Sequence, residues 1–146
     1  MNPHAGRKSR ITAFFGVQFC IVLVLLGLMV FRTGEWNVAR RAGLLIAVPA
    51  AVLLFVARYQ LGGSFSVRPQ ARVLVTHGVY SKIRNPIYVF SGLLILGFLL
   101  ALQRPYLLPI LVVLIPIQIV RACKEAEVLE ARFGDAYREY RNKTWF

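Results

Sequence analysis

Two short groups of polar residues sit at the edges of otherwise apolar runs, and these are where chemistry could occur. One is the stretch 74–88, LVTHGVYSKIRNPIY; the other is Arg121 with Glu125. Four residues apart on a helix, Arg121 and Glu125 share a face. A guanidinium there can hold a carboxylate or a phosphate in bidentate fashion, and a carboxylate can accept hydrogen bonds from an ammonium or a diol. The same pair can also be a weak helix-surface ion pair, which is what spacing alone favours. Arg84 ahead of Asn85-Pro86 can be a membrane-flanking arginine followed by a helix start, and Tyr80 and Tyr88 can be interfacial aromatics. Taken singly, each of these residues has a plain structural reading.

The elements that must position them are apolar and long. The chain has 146 residues, 58% of them hydrophobic and only 16% charged. One soluble core of this size could not bury that much apolar side chain. Four runs free of charge are predicted to be helices: 11–31, 42–57, 86–103 and 105–120. The first is long enough to span roughly 30 Å of hydrocarbon. The second is short and would need its flanking Arg41 and Arg58 to snorkel. Pro86 falls at the first turn of the third, where a missing N–H costs least. Pro105, Pro109 and Pro116 should kink the fourth, which joins the third through a tight Gln103-Arg104-Pro105 hairpin. The expected fold is therefore all-α, a single multi-pass membrane domain of about four transmembrane helices. It would end in a polar tail over 121–146. Leu129, Phe133, Tyr137 and Tyr140 recur in that tail near helical spacing, which predicts an amphipathic helix interrupted or ended near Gly134. Gly92 and Gly97 lie on one face of the third helix and could serve a second copy or internal packing.

Charge sets the orientation. There are 18 Lys and Arg against 6 Asp and Glu, a net +12. The basic residues stand at the ends of apolar runs, as in a membrane protein, which argues against a nucleic-acid partner. Only Arg32, Arg40, Arg41 and Arg104 fall outside the N-terminal lead, the central loop and the tail. Both termini and the loop 58–84 are therefore expected on the cytoplasmic side. The basic lead of Arg7, Lys8 and Arg10 imitates a signal peptide, but the following run is long and no small-residue cleavage site follows it, so a retained anchor is expected. Cys20 and Cys123 lie in dissimilar surroundings and are expected to be free. His4 and His77 are far apart, so no metal site is expected, and no G-x-G-x-x-G is present.

Read together, the polar groups form a pattern: G-x-Y-x-x-x-R-N-P-x-Y, then a hairpin, then R-x-x-x-E ahead of L-x-x-x-F-G-x-x-Y-x-x-Y. It is carried by Gly78, Tyr80, Arg84, Asn85, Pro86 and Tyr88, and by Arg121, Glu125, Leu129, Phe133, Gly134, Tyr137 and Tyr140. This closely resembles the isoprenylcysteine carboxyl methyltransferase and phospholipid methyltransferase group of integral membrane enzymes. The resemblance covers roughly the C-terminal half; the first two helices match only as hydrophobic spans. Asn85 stands where many members have His, so no acid–base role belongs there. Ala126 stands where many have a second acid, with Glu127 one residue on.

The resemblance implies an S-adenosyl-L-methionine-dependent methyltransferase whose cofactor pocket is cytoplasmic. By that likeness Arg72, Val73, Leu74 and Val75 would line the pocket. Tyr80, Asn85, Pro86, Ile87 and Tyr88 would close over the adenosyl part, Glu125 would bind a polar part of the cofactor, and Arg121 would hold the acceptor. No residue would act as a catalytic acid or base, since methyl transfer from a sulfonium needs position and dryness. The implied partners are membrane lipid and a lipophilic or prenylated substrate, foremost the carboxylate of an isoprenylated cysteine, which is already ionised at neutral pH. A phospholipid amine or small-thiol methyltransferase on the same scaffold remains open, as does a non-catalytic membrane protein that binds lipid or a partner.

Overall fold

A computed structural model describes residues 3–61 and 74–146, excluding the side chains of residues 3–15 and of Pro105. Among the described residues every regular element is helical, apart from one isolated bridge between Ile83 and Trp145. The elements are α1 (Pro3–Phe31), α2 (Val38–Leu61), a 3₁₀ turn (Gly78–Ser81), α3 (Pro86–Ala101), a second 3₁₀ turn (Pro105–Leu107), α4 (Pro109–Phe133) and α5 (Asp135–Lys143).

Helix boundaries differ from the sequence expectation in instructive ways. α2 is not short: it has 24 residues, about 36 Å of helix, because Arg40, Arg41 and Arg58 lie inside it rather than beyond its ends. Among the described residues it alone is long and apolar enough to cross a membrane by itself; Gly16–Phe31 and Pro86–Ala101 are shorter apolar helices. α3 ends at Ala101, and Gln103 takes a positive φ of 58° at the hairpin. The fourth helix begins at Pro109 rather than at 105, after the short turn. It then runs unbroken past Arg121 to Phe133, so Arg121 and Glu125 extend the helix that carries Pro116 rather than opening a separate tail. Gly134, with φ 51°, ends α4 and starts α5, the amphipathic segment expected there.

The centre of the molecule is the α2–α3 contact. Its closeness comes from small residues. A Cβ on Gly43 would lie 2.4 Å from the Ala101 nitrogen, and one on Gly97 would lie 2.7 Å from the Ala47 nitrogen. Side chains larger than hydrogen would drive the two backbones apart, and Ala47, Ala50, Ala51 and Ala57 continue the same smooth surface. Gly97 is thus used in internal packing. Val22 of α1, Leu54 of α2 and Phe90 and Leu94 of α3 complete the core, with Tyr80 at its end nearest the 3₁₀ turn. Cys20 and Cys123 are free and exposed.

The turn between α1 and α2 is built around Arg40, which is only 2% exposed. Its guanidinium donates to the carbonyls of Met29 at 2.8 Å and Arg32 at 2.7 Å, groups that the end of α1 leaves without helical partners. At the opposite end of α2, Arg58 donates to Gln18 of α1. Between α3 and α4, Gln118 donates to Ser91 at 3.0 Å and Ser91 to the Tyr88 carbonyl at 3.0 Å. Such amide and hydroxyl bonds fasten apolar helices that have little other reason to adhere.

Candidate functional site

The site forms where the start of α3, the middle of α4 and α5 converge. Pro86 occupies the first turn of α3 and is fully buried. Its fixed φ starts the helix, and its missing N–H leaves no unsatisfied donor at that depth. The main chain just ahead of it is held by the C-terminal residues. Arg84 N–H donates to the Trp145 carbonyl at 2.9 Å and Asn85 N–H to Phe146 at 2.8 Å, while Trp145 N–H donates to Lys82 at 2.8 Å. The Asn85 side chain makes no cap to the helix.

From this start, Tyr88 projects toward α4 and its hydroxyl donates to Glu125 Oε2 at 3.3 Å. Glu125 is partly buried, and burial pushes its carboxyl above the ordinary value, an effect that the bond from Tyr88 opposes. Tyr80, from the 3₁₀ turn, is 6% exposed. Burial raises its phenol well above the usual range, and the charge of Glu125 adds to the rise. Arg121 does not complete the group. It is exposed and makes no ion pair with Glu125 within 4 Å, although the two are one helical turn apart. The surface ion pair that the spacing alone favours is therefore not formed; Glu125 turns to Tyr88 instead.

The remaining predicted residues divide clearly. Ile87 and Val75 pack on the apolar core, and Leu74 is half-buried beside Val75. Arg72 and Val73 lie outside the described residues. The structure thus brings Tyr80, Asn85, Pro86, Tyr88 and Glu125 to one place and leaves Arg121 at its rim.

Two contributors lie beyond the predicted set. The Tyr140 hydroxyl donates to the Tyr80 carbonyl at 2.8 Å, and burial pushes that phenol up to about 12. Tyr137 is fully buried beside it, with ring centroids 6.3 Å apart. Both appear in the sequence as the apolar face of the terminal helix; their spacing signals burial but not the hydroxyl's destination. At the α4–α5 corner, Glu130 accepts from Arg138 at 2.8 Å and Arg141 at 3.2 Å, pairs that tie α5 to the end of α4.

The donor and acceptor count tests whether a polar ligand fits. The hydroxyls of Tyr80 and Tyr137 and the Nε of Arg84 are buried with no hydrogen-bond partner among the described residues. Buried polar groups are normally satisfied, so unused donors beside a partly buried carboxylate are what a site for a polar, partly cationic molecule requires. Glu125 accepts from Tyr88 through one oxygen only, leaving further lone pairs for an ammonium or a diol. The residues present fit a methyl-donating cofactor that carries both.

Comparison with known proteins finds a family match. The family model described as phospholipid methyltransferase matches residues 38–136, from the start of α2 into α5, and includes Tyr80, the Asn85–Tyr88 turn, Arg121 and Glu125. No curated protein and no solved structure matches the chain. The match spans well over half of the 146 residues, so the chain belongs to the phospholipid methyltransferase family and is by that membership a membrane-associated methyltransferase.

Proposed function

We propose that the protein transfers the methyl group of S-adenosyl-L-methionine to a lipophilic acceptor, foremost the carboxylate of an isoprenylated cysteine or an analogue. The observation that carries this reading is the partly buried Glu125 carboxylate, which accepts from Tyr88 and whose charge reaches the buried phenol of Tyr80. When bound, the cofactor supplies an electrophilic methyl group on a sulfonium. Glu125 would accept hydrogen bonds from its ammonium or ribose diol, and Tyr80 and the Asn85-Pro86-Ile87-Tyr88 turn would cover the adenosyl part. Arg121, at the rim, orients the acceptor's anionic group. A carboxylate is already ionised at neutral pH, so such an acceptor would need no proton removed before receiving the methyl group that the cofactor would supply.

A phospholipid amine is the second reading, favoured by the description of the matching family. It would place the lipid phosphate on Arg121 and would require the amine to lose a proton first.

The membrane setting in this reading is four spans with both termini cytoplasmic. It is supported by the apolar residues that face outward: Leu23, Val24 and Leu28 on α1, and Val112, Val113, Ile117 and Val120 on α4, are all exposed. A continuous apolar exterior of that kind is suited to lipid rather than water. The test is transfer of labelled methyl to an S-prenylated cysteine and to phosphatidylethanolamine, each in detergent micelles. Labelling of the first establishes the leading reading, labelling of the second alone establishes the other, and labelling of neither rejects both.

A further inference from the structure

The 3₁₀ turn that carries Tyr80 is gripped from two sides. On one side is Tyr140, already described. On the other is Gln60, in the last turn of α2, whose Oε1 accepts from the Val79 N–H at 2.8 Å. The fit there is close. Gly78 has φ +62°, a conformation that L side chains rarely adopt, and a Cβ built on it would lie 2.2 to 2.4 Å from the amide atoms of Gln60. The position therefore calls for glycine for its backbone angle, and a Cβ there would displace the Gln60 amide. A glutamine amide seated on a glycine and bonded to the next N–H fixes the height and rotation of the turn. One residue further on, the Tyr80 hydroxyl is buried and unpartnered, near enough to Glu125 for that carboxylate's charge to raise the phenol.

We infer that Gln60 is a positioning residue for the methyl-donor site: by holding the Val79 amide it sets the place of Tyr80, and so the affinity for S-adenosyl-L-methionine. The inference rests on the proposed donor site at Tyr80 and Glu125. Gln60 touches neither the donor nor the acceptor in this account; it acts through the turn. A carboxylate at the same position keeps an acceptor oxygen for Val79, whereas a leucine of similar size removes it and leaves a main-chain donor unsatisfied.

The test compares the wild type with Gln60→Leu and Gln60→Glu in detergent. Two readouts are used: hydrogen exchange at the Val79 amide, and calorimetric titration with S-adenosyl-L-methionine. The expected result is that Gln60→Leu loses protection at Val79 and binds the donor about tenfold more weakly. Gln60→Glu should restore both. If Gln60→Leu loses Val79 protection while donor affinity is unchanged, the positioning role is overturned although the donor site stands. If both variants lose affinity equally, the acceptor oxygen is not what matters and the inference also fails. A wild type that binds no donor overturns the proposed site itself, and the inference with it. Should Gln60→Leu fail to fold, Gln60→Asn withdraws the amide from the Val79 N–H by one methylene. It should weaken donor binding, and unchanged binding there overturns the inference.

Discussion

The hydroxyl of Tyr140, on the last helix, donates to the main-chain carbonyl of Tyr80 at 2.8 Å, joining residues sixty positions apart in a buried contact. This bond makes the terminal helix part of the site rather than an appendage on the membrane surface. Replacing Tyr140 by Phe keeps the ring and leaves the Tyr80 carbonyl without that donor. The expected loss is about 1–3 kcal/mol of stability, together with weaker donor binding, because the carbonyl belongs to the turn that presents the Tyr80 side chain. Thermal unfolding in detergent and a donor titration check the two effects separately.

Glu125 provides a pH dependence. Burial raises its carboxyl above the ordinary value of 4.5, so the ligand-free fold favours the protonated form more than the unfolded chain does. The stability this contributes is present below the ordinary value and is lost as pH rises through the raised one. A cationic or diol-bearing donor needs the carboxylate. Its affinity should therefore fall as pH is lowered through the raised value. Titrations across that value should show the slope in the wild type and none in Glu125→Gln.

The close approach of α2 and α3 predicts a purely structural lesion. A methyl on Gly43 would meet the Ala101 backbone nitrogen at 2.4 Å and the Gly97 carbonyl at 2.6 Å, atoms that cannot move without separating the helices. Gly43→Ala should cost about 1–3 kcal/mol. Chemical denaturation in mixed micelles measures it; a neutral result would mean that the helices can slide apart freely.

Arg121 should separate acceptor from donor. Because it is exposed and forms no ion pair with Glu125, Arg121→Ala is expected to leave the donor's Kd within about twofold, while raising the acceptor KM by roughly tenfold or more. Steady-state kinetics at saturating donor, set beside calorimetry, checks the split. The reverse pattern would exchange the two assignments.

Much of this was legible in the residues themselves. Helices follow from apolar runs bounded by arginine, Pro86 marks the start of α3, and Gly134 marks the break before α5, because each signal is local. α2 and α4 extend past their charge-free runs because charge does not end a helix: Arg40, Arg58, Arg121 and Glu125 all lie within helices whose backbone bonds do not depend on side-chain polarity. Tyr80, Tyr88 and Glu125 were found as a group through a recurring pattern rather than through their physics. What the residues could not reveal was direction. Nothing in the four-residue spacing of Arg121 and Glu125 says that Glu125 turns to Tyr88, or that Tyr140 and Gln60 reach the same turn from opposite sides. Those choices are made by tertiary packing around the small residues of α2 and α3.

The most direct test of the central claim is calorimetric titration of S-adenosyl-L-methionine into the purified protein in nanodiscs, with Glu125→Ala alongside. Saturable one-site binding to the wild type is expected, with its loss in a variant that remains folded. Equal binding to both proteins, or none to a well-folded wild type, would contradict that claim.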